Sequence, residues 1–270
     1  MCNMQTHGYI TIPYDKNFDL PLTLFCGQAF RWKEVEDGWH GVAFSKPLTV
    51  KKSDNGLIFE CSEEDFENIW RKYFDLDTDY GKLCETFSAD EHLKTAVNEY
   101  PGIHILRQDT WEALCSFIIS QNNNIPRICG IIDRLCAMFG DDLGNGDFSF
   151  PSPERLASLS AEDLAPLRSG FRAKYIIDAA VKCCDGTVDL KKLGTVSLEE
   201  ARAELMQIKG VGPKVAECTL LYGAGRMQAF PIDVWVRRIL DELYSDGLPD
   251  CIRDYEGIAQ QYLFHWRRNL

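Results

Sequence analysis

The stretch Leu205-Met206-Gln207-Ile208-Lys209-Gly210-Val211-Gly212-Pro213-Lys214-Val215-Ala216 carries the densest structural signal in the chain. A helix is expected to end near Ile208. Its start is marked by Ser197-Leu198-Glu199-Glu200, a capping box in which serine and glutamate satisfy each other's free amides. Gly210 and Gly212 permit a tight turn, because glycine reaches backbone conformations closed to other residues. Pro213 suits the first position of a new helix, where its missing N–H costs nothing. Such a turn presents the amides of Gly210, Val211 and Gly212 at a helix N-terminus, a place that holds phosphate without any basic side chain.

Lys214 falls in the first turn of that second helix. The positive helix end and partial burial both disfavour its ammonium form. A neutral amine is a nucleophile able to form a Schiff base. A phosphate-binding or solvated lysine is the plainer alternative. After a short loop comes Phe230-Pro231-Ile232-Asp233-Val234-Trp235. Asp233 is placed to cap a helix over 234–243. Its carboxylate can also turn to the same cleft and steady positive charge developing on a sugar.

Outward from this core the chain divides by pattern. Residues 9–14, 29–36, 40–45, 47–52 and 57–61 are short β-prone runs, with Asp37-Gly38 and Asp54-Asn55-Gly56 as hairpin turns. A helix over 63–74 is expected to cross them. Farther on the pattern turns helical. Asp109 caps a helix with Trp111, Leu114, Cys115 and Ile118 on its buried stripe. Asn124 caps the next, with Pro126 in its first turn and Ile128, Ile131, Ile132, Leu135 and Phe139 on its apolar face. Further helices are expected to start at Ser152-Pro153 and Ser160, to span 173–184, and to follow an Asp254 cap with Ile258, Tyr262 and Trp266 on one face. The fold class is α+β: a small antiparallel β-sheet domain over 1–105, then a larger all-α domain over 106–270.

The 270 residues allow one large domain or two modest ones. Eleven cysteines stand without a framework. The opening MCNMQTHGYI lacks a basic-then-apolar leader, so these are read as reduced thiols inside a cell. No apolar run is long enough for a membrane span. The net charge of −12 argues against a protein that grips a polyanion by bulk charge, and leaves room for one that does so locally.

The hairpin with Lys214, followed by Pro231-Ile232-Asp233, resembles the helix-hairpin-helix DNA glycosylase superfamily with its Gly/Pro-rich loop and aspartate. The chain looks most like its 8-oxoguanine DNA glycosylases. Gly27-Gln28-Ala29-Phe30-Arg31-Trp32, Leu106-Arg107-Gln108-Asp109, Ser120-Gln121-Asn122-Asn123-Asn124-Ile125-Pro126-Arg127 and Gly170-Phe171-Arg172-Ala173-Lys174-Tyr175 resemble that family's segments in the same order. The resemblance implies a monomer acting on double-stranded DNA without a cofactor. The damaged nucleotide would be flipped into a pocket. Lys214 would be the nucleophile and Asp233 the catalytic carboxylate. Cys218 and Phe264 would sandwich the base, with Pro231 lining the pocket. Gln260 would bond the base edge, and the Gly27 carbonyl would accept the N7 hydrogen peculiar to 8-oxoguanine. Lys214 and Cys218 are four apart, as are Gln260 and Phe264, which gives each pair one helix face.

Asn122, Arg127 and Arg172 match positions that read the orphaned cytosine, and Phe171 matches a wedge position where animal relatives carry tyrosine. Trp235 stands among the phosphate contacts, where those relatives have histidine. No essential metal is expected; a structural ion held by the carbonyls of Met206, Ile208 and Val211 is the one exception allowed. Relatives acting on oxidised pyrimidines or mispaired adenine often hold an iron–sulfur cluster on four cysteines after the aspartate, whereas here only Cys251 follows Asp233. A catalytically inert module that uses the hairpin only to grip phosphate is the rival of another class, and the joint presence of Lys214 and Asp233 opposes it.

Overall fold

The computed structural model describes residues 8–270; residues 1–7 of the opening stretch read for a leader lie outside them. Five strands form one antiparallel sheet in the order β1-β5-β4-β3-β2, with β1 at Ile10–Ile12, β2 at Trp32–Val35, β3 at Gly38–Ala43, β4 at Lys46–Ser53 and β5 at Gly56–Phe59. Trp32 pairs with Gly41, and its indole lies where a side chain on Gly41 would sit. The indole N–H donates to the Tyr73 hydroxyl at 2.8 Å. Helix α1 (Leu20–Phe25) packs Leu20 and Leu24 into the same core.

The helix expected over 63–74 is present with an interruption. It runs as α2 (Glu63–Asp65), a π-helical turn at Phe66–Trp70 and α3 (Arg71–Tyr73). Phe66, Trp70, Tyr73 and Phe74 from this segment cover the sheet. The strand expected over 29–36 is shorter, because residues 29–31 bend away.

Helices α4 (Tyr80–Phe87) and α5 (Glu91–Glu99) join a second core with α6 (Thr110–Ser120), α7 (Ile125–Phe139), α8 (Pro153–Ala157), α9 (Arg172–Cys184), α10 (Leu198–Met206), α11 (Pro213–Tyr222), α12 (Val234–Leu243) and α13 (Glu256–Arg268). A two-stranded ribbon, β6 (Asp142–Gly144) with β7 (Asp147–Phe148), follows α7. Helix α6 is buried all along Trp111 to Ile119, beyond the single stripe expected, and α11 from Val215 to Tyr222; the acids buried on them, Glu112 and Glu217, are paired with Arg31 and Arg202. Between the cores runs an extended segment whose alternation sends Ile103 and Ile105 to the helical core and Leu106 to the sheet core.

Two expected helix starts fail. At Ser160 the serine and Asp163 exchange bonds, the Ser160 amide reaching the carboxylate at 2.8 Å, but only a 3₁₀ turn at Ala165–Leu167 follows. Pro166 removes a donor there and Arg168, at φ 56°, ends the turn. Asp254 sits at φ 70°, outside cap geometry, and α13 starts after Tyr255 with no side-chain cap. No helix among the described residues is long and apolar enough to cross a membrane.

Candidate active site

The hairpin is set by α10, α11 and the flank of α9. The capping box at Ser197 and Glu200 forms as expected. Gly210 adopts φ 82°, and a side chain there would strike the Tyr175 ring at 2.3 Å, so the turn lies flat on α9. Asp178 fixes it further: its Oδ2 accepts the Lys209 amide at 2.7 Å and Lys182 Nζ at 2.9 Å. Lys182 also donates to the Gln207 carbonyl at 2.6 Å. Val211 is buried and donates its amide to the Ile208 carbonyl at 3.0 Å, so that amide and that carbonyl are already engaged within the turn. The amides of Gly210 and Gly212 meet no backbone acceptor among the described residues. Nothing lies within 4 Å of a side chain placed on Gly212, which caps α11 in extended conformation before Pro213. The open part of the turn therefore offers two glycine amides.

One helical turn on, Lys214 is half-buried with Nζ 5.0 Å from the Phe117 ring centre. It faces Cys218. Burial pushes the Cys218 thiol up from its ordinary value, the Lys214 charge and hydrogen bond draw it down, and the Asp233 charge adds to the rise. Lys214 and Cys218, four residues apart, share one face of α11. Asp233 is the N-cap of α12 and uses Oδ1 for the amides of Trp235 and Val236, each at 2.9 Å. Its Oδ2 takes part in neither bond.

The loop that carries Asp233 is held from behind. Glu217 accepts the Phe230 amide at 2.7 Å and pairs with Arg202. Gln260 donates Nε2 to the Pro231 carbonyl at 3.0 Å, while its Oε1 is buried with no partner. Phe264 lies beside Gly27: a side chain on Gly27 would meet Phe264 at 3.7 Å and Arg268 at 3.5 Å, and φ there is 98°. Gln28, fully buried, donates to the carbonyls of Thr23 and His104, each at 2.8 Å, and accepts the Leu106 amide at 2.8 Å. Gln108 returns a bond to the Gln28 carbonyl at 2.7 Å. Arg31 anchors the far end of the segment on Glu112 at 3.1 Å. Burial raises Glu112 to about 6, against the pull of Arg31.

Sequence reasoning missed Gln28, Gln108, Glu217 and Phe117. The two glutamines lie inside quoted motifs, and Glu217 is an acid three residues beyond Lys214 on a helix otherwise apolar around it. No local pattern signals Phe117.

Across the cleft, Asn122 is exposed at φ 47° in the turn between α6 and α7. Arg127 is exposed, with one 3.3 Å bond to the Arg168 carbonyl. Phe171 is 49% exposed, its ring 5.6 Å from Tyr175. Arg172 is instead 3% exposed, its guanidinium turned into the protein. Trp235 is half-buried under Arg238, 5.1 Å away. Among the described residues no three His, Cys, Asp or Glu side chains gather as a metal site.

Residues 11–114 match the family model of the 8-oxoguanine DNA glycosylase N-terminal domain, and residues 115–249 that of the HhH-GPD superfamily of base excision DNA repair proteins. The chain belongs to the 8-oxoguanine DNA glycosylase family. It is 37% identical to the N-glycosylase/DNA lyase of Saccharomyces cerevisiae over 70% of this chain and 54% of that protein, so it spans about half of that relative's length. It is 32% identical to the N-glycosylase/DNA lyase OGG1 of Arabidopsis thaliana over 82% of this chain and 64% of that protein. Among solved glycosylases, MBOgg1 bound to a low-affinity DNA ligand superposes with TM-score 0.90 and 44% identity, covering 97% of this chain and 96% of that one. The Clostridium acetobutylicum 8-oxoguanine glycosylase/lyase, bound to duplex DNA with cytosine opposite 8-oxoG, gives TM-score 0.87 and 36% identity over 94% and 93%.

Proposed function

We propose that this chain is a bifunctional DNA glycosylase and AP lyase that excises 8-oxoguanine from duplex DNA, preferably opposite cytosine, in base excision repair. The observation that carries the reading is that Lys214 and Cys218 share one face of α11, Asp233 caps α12, and Gln260, bonded to the Pro231 carbonyl two residues before Asp233, keeps a buried, unpartnered Oε1. A buried acceptor without a donor is costly, and a base edge would supply one. The glycine amides of the hairpin grip phosphate, and the lesion is flipped between Cys218 and Phe264, with Gly27 and Gln260 reading its edges and Pro231 at its side. Lys214 Nζ attacks C1′ of the sugar as the bond to the base breaks and the base leaves with the electron pair. Asp233 steadies the positive charge that builds on the sugar. Ring opening gives a Schiff base between Lys214 and C1′. Loss of a C2′ proton then expels the 3′ phosphate, and water releases the lysine.

Asn122 and Arg127 face the orphaned cytosine, Phe171 fills the gap, and Trp235 flanks the backbone. Residues 1–105 contribute Gly27 and residues 106–270 the rest, in a monomer working inside the cell with no cofactor. Duplexes carrying 8-oxoguanine opposite each of the four bases test this. Cleavage fastest opposite cytosine is expected; no cleavage of any of them would overturn it.

A further inference from the structure

We propose that Gln108 and Gln261 are positioning residues for lesion specificity, which clamp the chain on either side of Gly27 so that its carbonyl alone is left to accept the N7 hydrogen of 8-oxoguanine. The inference rests on the glycosylase reading above.

The carbonyls of Cys26, Gly27 and Gln28 are treated differently by the fold. Cys26 is the C-cap of α1, where a helix leaves its last carbonyls unpaired. Gln261 of α13 supplies the missing partner, donating Nε2 to the Cys26 carbonyl at 3.4 Å, a long bond. On the other side, Gln108 donates Nε2 to the Gln28 carbonyl at 2.7 Å. The Gly27 carbonyl between them accepts no hydrogen bond among the described residues. Gly27 sits at φ 98°. Glycine moves readily between positive and negative φ, so this conformation is held by its surroundings and not by the residue itself.

Both glutamines are buried, and both are anchored on Tyr222 at the end of α11. The Gln108 amide donates to the Tyr222 carbonyl at 2.7 Å. The Tyr222 hydroxyl donates to Gln261 Oε1 at 2.5 Å. Burial raises that hydroxyl well above its ordinary value, so it stays a donor. Its bond takes the amide oxygen of Gln261 and thereby turns the amide nitrogen to Cys26. The Tyr222 ring in turn stacks on Phe117 at 5.2 Å, the ring that carries Lys214. The reader of the lesion and the nucleophile thus share one buried frame.

The chemistry asks for such a frame. The N7 of 8-oxoguanine carries a hydrogen and the N7 of guanine a lone pair. A fixed carbonyl attracts the first and repels the second. A carbonyl free to turn away loses both effects, and discrimination falls with them.

The test compares Gln108→Met, Gln261→Met and Tyr222→Phe with the wild type. Duplexes carry 8-oxoguanine or guanine on a 2′-fluoro sugar opposite cytosine, since the fluorine withdraws electrons from the sugar and blocks base loss. A third duplex holds an abasic-site analogue and offers no base to read. Gln108→Met should cut the affinity ratio of 8-oxoguanine to guanine about tenfold, the scale of one lost hydrogen bond. Gln261→Met, which loses the longer bond, should cut it about threefold, and Tyr222→Phe should match it. The double variant Tyr222→Phe/Gln261→Met should be little worse than either single one, because both remove the same arm. Affinity for the abasic duplex should stay near that of the wild type in all of them. In the free protein, amide hydrogen exchange over residues 26–28 should quicken in each variant.

An unchanged ratio in Gln108→Met and Gln261→Met would overturn the proposal. So would a loss shared equally by the abasic duplex, which would make the glutamines supports of the fold at large. Should Gln108→Met fail to fold, Tyr222→Phe, which removes a single oxygen, decides by the same readouts. A wild type with no preference for the 8-oxoguanine duplex would sink the glycosylase reading, while the exchange measurement, which needs no DNA, still decides whether the glutamines hold the Gly27 segment.

Discussion

On the side of the site proposed to take the lesion, Lys214 and Cys218 lie four residues apart on α11 and Asp233 caps the helix that follows. On the opposite-strand side, Arg172 reaches 51 residues back to Gln121 and 50 to Asn122. The first side is assembled from local rules, the i to i+4 face and the N-cap, each readable within one turn of helix. The second is assembled from backbone carbonyls brought together only by the fold. Substitutions on the lesion side should therefore separate chemistry from stability cleanly. Those on the other side should mix the two.

The sharpest use of that contrast is Asp233→Asn. Asparagine caps a helix about as well as aspartate, so the melting temperature should hardly move. Loss of the charge proposed to steady the sugar cation should slow single-turnover excision by ~10²-fold or more. Borohydride trapping should slow without vanishing, because the Lys214 amine remains. A wild-type rate would reduce Asp233 to a cap.

This separation also explains what was legible in advance. The hairpin, the capping box at Ser197 and the caps at Asp109, Asn124 and Asp233 are local patterns, and the structure has each of them. The sheet was legible through its turn signals at Asp37-Gly38 and Asp54-Asn55-Gly56. The cap expected at Asp254 failed because its backbone turns left-handed, which sequence spacing does not reveal. The burial of Arg172 and the Gln28–Gln108 stitch behind Gly27 were illegible because their partners are carbonyls and amides, which carry no residue identity.

Arg127→Ala addresses the exposed half of the opposite-strand side. Preference for cytosine over the other bases should fall by ~1–3 kcal/mol with the melting temperature unchanged. Equal loss opposite all four bases, measured in the same excision series, would make Arg127 structural.

Gly210→Ala probes the joint between the two sides, since the turn rests on Tyr175 of α9. The positive φ and the clash with the ring should together cost of order 1–3 kcal/mol in thermal or urea unfolding. Affinity for an abasic-site duplex should weaken as the amides shift. Unaltered stability would show that the turn does not press on α9.

The smallest effect concerns the Arg31–Glu112 clasp beneath the Gly27 segment. Burial holds Glu112 at about 6, above its ordinary 4.5, so the folded protein binds this proton more tightly than the unfolded chain. The stability that follows is fully present below pH 4.5 and is lost as pH rises through 6. Relative to Glu112→Gln, the wild type should gain up to about 2 kcal/mol between pH 7 and pH 4.5, read by urea unfolding at each pH. A difference that stays flat, or one that shrinks toward acid, would place the titration elsewhere.

The central claim is that the Lys214 amine forms the covalent bond to the sugar. Borohydride trapping of Lys214→Gln on a duplex with 8-oxoguanine opposite cytosine tests it most directly, with base release, duplex affinity and melting temperature measured on the same preparation. The account predicts no covalent adduct and no released base. Duplex binding should persist through the Gly210 and Gly212 amides, and the melting temperature should stay near that of the wild type, since glutamine is a fair helix former. An adduct formed by Lys214→Gln at the wild-type rate would move the nucleophile to another residue and contradict the account.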